Sequence, residues 1–310
     1  MDQSEISRVS EDLFPGSQAK RCKVHHYRNS KIFTIDLLGK SHRKIVAKAF
    51  SSHNPSHVLN EFENLSRFKR ECRDLRISAP KPLYADPERG FFIMSYVKGT
   101  NLSYFLHHIK HADKDYLNMA AELSAVALAK YHSIFMQQGA GPSIDKTVRE
   151  DDINCCIKEN VGILQECSLN FMVKPFFDFS SWNIIMDGDA GSKLYLIDFP
   201  KTNYIFTPHL DIGRFRFGLE LIKQYPPAKI LGMNLWDVDT FYDMFLNRYC
   251  REMGLLPNEK DIELIRCFVR ANIMRSHDLG RKDKYSWQSR LEKLYLQTFS
   301  KNWLRHDIYH

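Results

Sequence analysis

The chain has 310 residues, 44% hydrophobic and 13% aromatic, with 44 Lys and Arg against 37 Asp and Glu and a formal net charge of +7. That balance excludes a disordered chain and supplies enough apolar sequence for one large core or two adjoining ones. Its seven cysteines are odd in number and form no CxxC, which argues against a disulfide framework or a zinc site.

The opening MDQSEISRVSEDLF has neither the basic start nor the apolar middle of a signal peptide, and no run approaches the length of a membrane span. The expectation is a cytoplasmic chain whose residues 1–20 form a loose extension. Strands come next: KIFTIDLLG and KIVAKAF flank the polar turn KSHR and read as an antiparallel hairpin, with Lys48 inside the second strand. SHVLNEFENLSRFKRE places Val58, Leu59, Phe62, Leu65 and Phe68 at helical spacing and carries Glu61 and Glu63. FFIMSYV is a further strand, ending at Gly99. Beyond it MAAELSAVALAKYHSIF is a strong helix former, and the region after Asp198 is mainly helical. The boundary therefore falls near Ser95, with residues 1–95 as a small strand-rich part and 96–310 as a larger helical part. No Ser/Gly linker separates them, so the expectation is two lobes rather than independent domains.

One stretch carries chemistry. FDFSSWNIIMDGDAGSKLYLIDFP sets Asp178 on a loop, Asn183 at the start of a short strand and Asp198 at the end of a second strand before Pro200. A cap or a turn accounts for any one of these residues alone. Together, a carboxylate and an amide carbonyl suit Mg²⁺, a hard cation held by few protein oxygens plus substrate phosphates. Asp178 then remains free to orient an attacking hydroxyl.

Taken in order, Lys48 in IVAK, Glu61 in NEFENLSRF, the FFIMSYVKGTNL crossover, DFSSWN, LYLIDF and PHLDIGRF resemble the aminoglycoside phosphotransferase and choline kinase branch of the protein-kinase-like fold, over roughly residues 30–220. The resemblance implies an α+β, two-lobed protein-kinase-like fold, with a small antiparallel-sheet N-lobe plus one helix and a larger, mainly helical C-lobe. It implies Asp178 as the catalytic-loop aspartate, Asn183 and Asp198 as Mg²⁺ ligands, and Lys48 as the phosphate clamp with Glu61 as its partner. Asp211 is then the acid bracing the catalytic loop, and Ser95, Tyr96 and Val97 lie along the adenine. Three departures stand out: Phe176 and Phe177 replace the family's His-Gly, Pro200 replaces the glycine of D-F-G, and residues 20–45 hold no G-x-G-x-x-G.

The activity implied is transfer of the γ-phosphate of ATP or GTP, with Mg²⁺, to a hydroxyl of a small molecule, a sugar or lipid-linked saccharide being weakly preferred. The competing reading is a catalytically inactive pseudokinase that binds a nucleotide or metabolite. Asp237, Asp239, Asp243 and Glu252 are candidates for recognising a cationic acceptor, although acids at such spacing usually form a solvated face. Residues 266–310 hold ten Lys and Arg against four Asp and Glu, nearly all of the net charge. Such a basic tail suits an anionic membrane surface or a phosphorylated glycan, or else an amphipathic closing helix. Nucleic acid is disfavoured because no recognition motif accompanies the charge. The pairs His107 with His111 and His53 with His57 lack a third metal ligand nearby.

Overall fold

The structure, a computed structural model, describes residues 2–27, 30–39, 41–51, 54–107, 114–137, 162–187, 193–223 and 238–282. In chain order it begins with α1 (Gln3–Leu13), β1 (Gln18–His26), β2 (Ser30–Leu38), β3 (Arg43–Phe50), α2 (Pro55–Glu71), β4 (Ile77–Ser78), β5 (Pro82–Asp86) and β6 (Phe91–Ser95). There follow β7 (Thr100–Asn101), α3 (Leu102–His107), α4 (Lys114–Phe135), β8 (Met136–Gln137), β9 (Met172–Val173), β10 (Ile184–Met186) and β11 (Leu194–Leu196). The helices α5 (His209–Lys223), α6 (Val238–Met253) and α7 (Glu259–Lys282) complete the order. The chain divides into two compact units: the first runs up to Gly99 and includes Ile185–Asn203, and the second comprises Thr100–Ile184 and the chain from Tyr204.

The first unit is built on a five-stranded sheet in the order β1-β2-β3-β6-β5, whose adjacent strands are antiparallel. Strand alternation assigns its two faces. Phe33, Ile35 and Leu37 of β2, Ile45, Ala47 and Ala49 of β3 and Ile93 of β6 are buried together with Ile6 and Val9 of α1. Residues 3–13, read from sequence as part of a loose extension, are thus a helix docked by its apolar stripe, started by the Asp2 side chain accepting the Glu5 N–H. On the opposite face Lys48 stands beside Phe92 in the ladder, and the Phe92 ring meets Phe62 of α2 at 6.1 Å. Asn54 caps α2, and Pro55 sits in its first turn. Residues 185–203 belong here and not with the helical part because β11 pairs in parallel with β4, Leu194 beside Ile77.

The second unit is mainly helical, so the α+β division read from the sequence holds. The Ala-rich α4 is buried nearly all round and packs on α6, while α5 packs on α7. Between them lies an aromatic core that includes Tyr131, Phe176, Phe179, Phe215 and Phe245, with ring centroids 4.3 Å apart for Phe215 and Phe245. Asn258 and Asp261 form a reciprocal cap at the start of α7, Asp261 Oδ2 accepting the Asn258 N–H at 2.7 Å and Asn258 Oδ1 accepting the Asp261 N–H at 3.0 Å. Asp261 also accepts from the Ser168 and Leu169 N–H groups and pairs with His209 Nε2 at 2.8 Å. Cys167, His209 and Asp261 bring donor atoms within 4.8 Å of one another. The four hydrogen bonds fill the carboxylate's acceptor sites, so the cluster fastens the 167–169 turn and α5 to α7. Among the described residues no helix is long and apolar enough to cross a membrane.

Burial holds the His209 imidazole below its ordinary value of 6.5, against the opposing pull of Asp261. A histidine depressed in the folded state contributes stability above its unfolded value that is lost as pH falls. Urea midpoints of the wild type should therefore decline on acidification below 6.5, by up to about 1.4 kcal/mol per pH unit from this group. His209→Asn should flatten that slope, and an unchanged slope would remove His209 as its source.

Candidate functional site

In the first unit Lys48 is 4% exposed and its ammonium meets two carboxylates, Glu61 at 2.6 Å and Asp198. Burial works to lower its pKa, but Asp198 and then Glu61 outweigh burial and hold it above the ordinary lysine value. Glu61 is 2% exposed, and burial pushes its carboxyl up to about 7 in spite of Lys48. Burial also works to raise Asp198, but Lys48 and Lys201 prevail and keep it below the ordinary carboxylate range. Asp198 is therefore the firmer counter-charge, and its side chain is 36% exposed. It sits at φ +60°, a left-handed conformation that aspartate tolerates better than most residues. The segment after it is tied down by α2: Asn64 Nδ2 donates to the Pro200 carbonyl at 2.8 Å, and Asn60 Nδ2 to the Lys201 carbonyl at 2.9 Å. Glu63, the other acid considered on α2, is exposed.

At the end of β6 the Ser95 N–H donates to the Lys81 carbonyl and the Tyr96 N–H to the Lys44 carbonyl. Ser95 Oγ accepts the Lys81 N–H at 2.8 Å. The backbone N–H groups of Ser95 and Tyr96 are thus already committed, whereas no described residue engages that of Val97. The β1–β2 loop closes with the Tyr27 N–H donating to the Ser30 carbonyl. Arg28 and Asn29 lie outside the described residues.

In the second unit the loop before Asn183 is held from below. Asp211, fully buried in the first turn of α5, accepts the Phe176 N–H at 2.7 Å and the Phe177 N–H at 2.8 Å. His132 Nε2 of α4 lies 2.9 Å from the same carboxylate, and Tyr249 OH of α6 lies 2.7 Å from His132 Nδ1. The fixed loop makes a three-residue turn in which the Asp178 N–H donates to the Phe176 carbonyl at 2.8 Å, with Phe177 between them at φ +65°. Phe177 adopts a conformation that glycine takes freely. Its ring offsets the strain by meeting Tyr204 at 5.5 Å and packing on the cluster of Leu164, Phe206 and Phe268. Phe176 is buried against Tyr131 and Phe179.

Asn183 Nδ2 donates to the Asp178 carbonyl at 2.9 Å and to Asp178 Oδ2 at 3.1 Å. That commitment fixes the amide, and its Oδ1 accepts no hydrogen bond from the described residues. The Asn183 amide oxygen in the second unit and the partly exposed Asp198 carboxylate in the first are each an oxygen donor of the kind Mg²⁺ takes.

Sequence reasoning missed Arg214, whose Nε and Nη2 donate to Asp178 Oδ1 at 3.0 and 2.9 Å. The clue was the arginine of DIGR, one helical turn beyond Asp211. It also missed Asn60 and Asn64, amides four residues apart on α2. Asp239 and Asp243 line a cavity of about 260 Å³ with Arg216, Glu220, Tyr242 and Arg266. Glu252 instead pairs with Arg248 at 2.6 Å, and Asp237 lies outside the described residues. So do His53, His107's partner His111, and residues 283–310 of the basic tail.

No protein-family profile matches the chain, and no curated protein matches its sequence. Solved structures do match it. An amicoumacin kinase in complex with AMP-PNP, Ca²⁺ and its antibiotic superposes with a TM-score of 0.62 at 11% identity, over 97% of this chain and 94% of that one. A type I macrolide 2′-phosphotransferase gives 0.56 at 12% identity over 97% of both chains. A glucosamine kinase in complex with glucosamine, ADP and inorganic phosphate gives 0.54 at 9% identity, over 98% and 99%. The chain thus has a protein-kinase-like fold. It is the fold these three structures share.

The strain at Phe177 inverts an ordinary preference. Glycine is usually less stable than alanine by about 0.5–1 kcal/mol. At this position Phe177→Ala loses the ring and keeps the strain, whereas Phe177→Gly loses the ring and relieves about 1–2 kcal/mol of strain. Thermal melts should place both variants below wild type with the glycine variant the more stable; the reverse order would show that the backbone here is unstrained.

Proposed function

We propose that the protein is a small-molecule kinase that uses ATP or GTP with Mg²⁺ to phosphorylate a hydroxyl group. The observation that carries this reading is Lys48, buried and kept charged by two carboxylates of which one, Asp198, is partly open to solvent. Burying an ammonium is costly, and here two carboxylates answer its charge. A second, strained and half-available acid beside it is what phosphate chemistry needs: a fixed positive charge for the nucleotide and an oxygen donor for its metal.

On this reading Lys48 clamps the nucleotide phosphates and Glu61 keeps it aimed. Val97 offers the backbone groups for the adenine, with Ser95 and Tyr96 fixing the strand end. Asn183 and Asp198 hold Mg²⁺, which when bound supplies neutralisation of the phosphate charge. Asp178 orients the acceptor hydroxyl, and Asp211 keeps its loop in place. The chain's contribution is positioning and electrostatics, which dominate phosphoryl transfer.

Structures sharing the fold bear the names of kinases for antibiotics and an amino sugar, which supports a small-molecule acceptor. A sugar or lipid-linked saccharide is the preferred class; Trp182, 52% exposed between Asp178 and Asn183, offers an apolar ring face for such a molecule. The setting proposed is cytoplasmic, with the basic C-terminal region touching an anionic membrane or glycan.

Ligand binding to the native state raises the melting temperature, by about 2.7 kcal/mol of stabilisation at a hundredfold excess over Kd. ATP with Mg²⁺ should give a shift that Asp198→Ala abolishes. Asp178→Ala should keep the shift and lose phosphate transfer by two or more orders of magnitude, measured with radiolabelled ATP and a panel of saccharides. A wild-type protein that binds ATP without transferring phosphate to any acceptor or to water would favour the pseudokinase.

A further inference from the structure

Asp178 differs from Asp211 and Asp261 in what fixes it. Asp211 and Asp261 are fully buried, and packing leaves them one orientation. The Asp178 side chain is 47% exposed, so only directed bonds can choose its rotamer. Two neighbours supply them. Asn183 donates to Oδ2, and Arg214 brings two N–H groups of its guanidinium to Oδ1.

Arg214 is itself held. Its third nitrogen, Nη1, donates to Asn272 Oδ1 of α7 at 3.2 Å, and its guanidinium carbon lies 5.2 Å from the centroid of the Phe217 ring. Asn272 is 3% exposed and its Nδ2 donates to the Phe268 carbonyl at 2.8 Å, so the amide presents its oxygen to the arginine. A line of directed bonds thus runs from the backbone of α7 through Asn272 and Arg214 to the loop carboxylate. Asp211 and Arg214 share one face of α5, the first gripping the backbone of the loop and the second its reactive side chain.

We propose that Arg214 is a positioning residue for phosphoryl transfer: it locks the Asp178 carboxylate so that Oδ2 is presented to the acceptor hydroxyl. The inference rests on the kinase reading. A planar guanidinium held at three nitrogens fixes an orientation, and an ammonium on a flexible stem does not. A misplaced orienting group costs up to a hundredfold in rate without weakening nucleotide binding. Charge neutralisation alone would be served as well by lysine, which separates the two roles.

The experiment uses the full chain with ATP and Mg²⁺, water and a saccharide panel serving as acceptors, and reads kcat and the KM for ATP. Arg214→Met should lower kcat at least tenfold with KM within about twofold, and Arg214→Lys should recover only part of the loss. In an Asp178→Ala background, Arg214→Met should cost less than twofold more. Wild-type kcat in Arg214→Met, full recovery by lysine, or an equal loss in both backgrounds would each overturn the inference while leaving the kinase reading intact. A wild type with neither Mg²⁺-dependent ATP binding nor phosphate release would overturn the kinase reading and the inference together. Should Arg214→Met melt far below wild type, Asn272→Leu removes only the brace: a lowered kcat at unchanged KM supports the inference, and an unchanged kcat overturns it.

Discussion

A carboxylate taken out of water must have its charge and lone pairs answered inside the protein, and this chain builds its order around a few such groups. Asp211 is the most consequential. With no solvent access, it draws together two backbone N–H groups of the catalytic-type loop and an imidazole from α4 that is in turn joined to a tyrosine of α6. Removing the carboxylate would orphan all of these at once, a loss in the range of about 3–5 kcal/mol for a buried network. Asp261 does the same for the start of α7 and the 167–169 turn, and Glu61 for Lys48.

These anchored acids let less comfortable conformations persist. Phe177 and Asp198 are the non-glycine residues with positive φ among the described residues, and each adjoins a proposed site residue or is one. Strain of this kind survives only where the surroundings over-determine the backbone. At Phe177 the over-determination comes from two hydrogen bonds to Asp211 and from a ring inserted between helices. At Asp198 it comes from Lys48 and from two asparagines of α2 that hold the following carbonyls.

How much was legible follows from range. Local periodicity marked α2, α4 and the hairpin of β2 and β3, because each buries one face or is apolar throughout. The order of weak motifs marked the fold, since a strand lysine, a helix glutamate, a D-x-x-x-x-N loop and an acid ending a strand rarely fall in that sequence by chance. The docking of α1 was missed because its apolar positions, Ile6 and Val9 among them, are few within a polar stretch. The assignment of residues 185–203 to the sheet unit was missed because it rests on a pairing between β11 and β4, more than a hundred residues apart along the chain.

The sequence by itself determined which chemistry is present: a lysine, three aspartates and an amide of types suited to a nucleotide, a divalent ion and a hydroxyl. It also determined that a smaller strand-rich part would precede a larger helical one, because hydrophobic period is a local property. Only the tertiary structure decided how those groups are held: that Lys48 answers to Asp198 as well as Glu61, that Asp211 grips the loop by its backbone, and that Arg214 grips Asp178 by its side chain. Those choices depend on which distant residues share a buried volume, where an unpaired charge is too costly to leave, and nothing in the local pattern of the sequence carries that information.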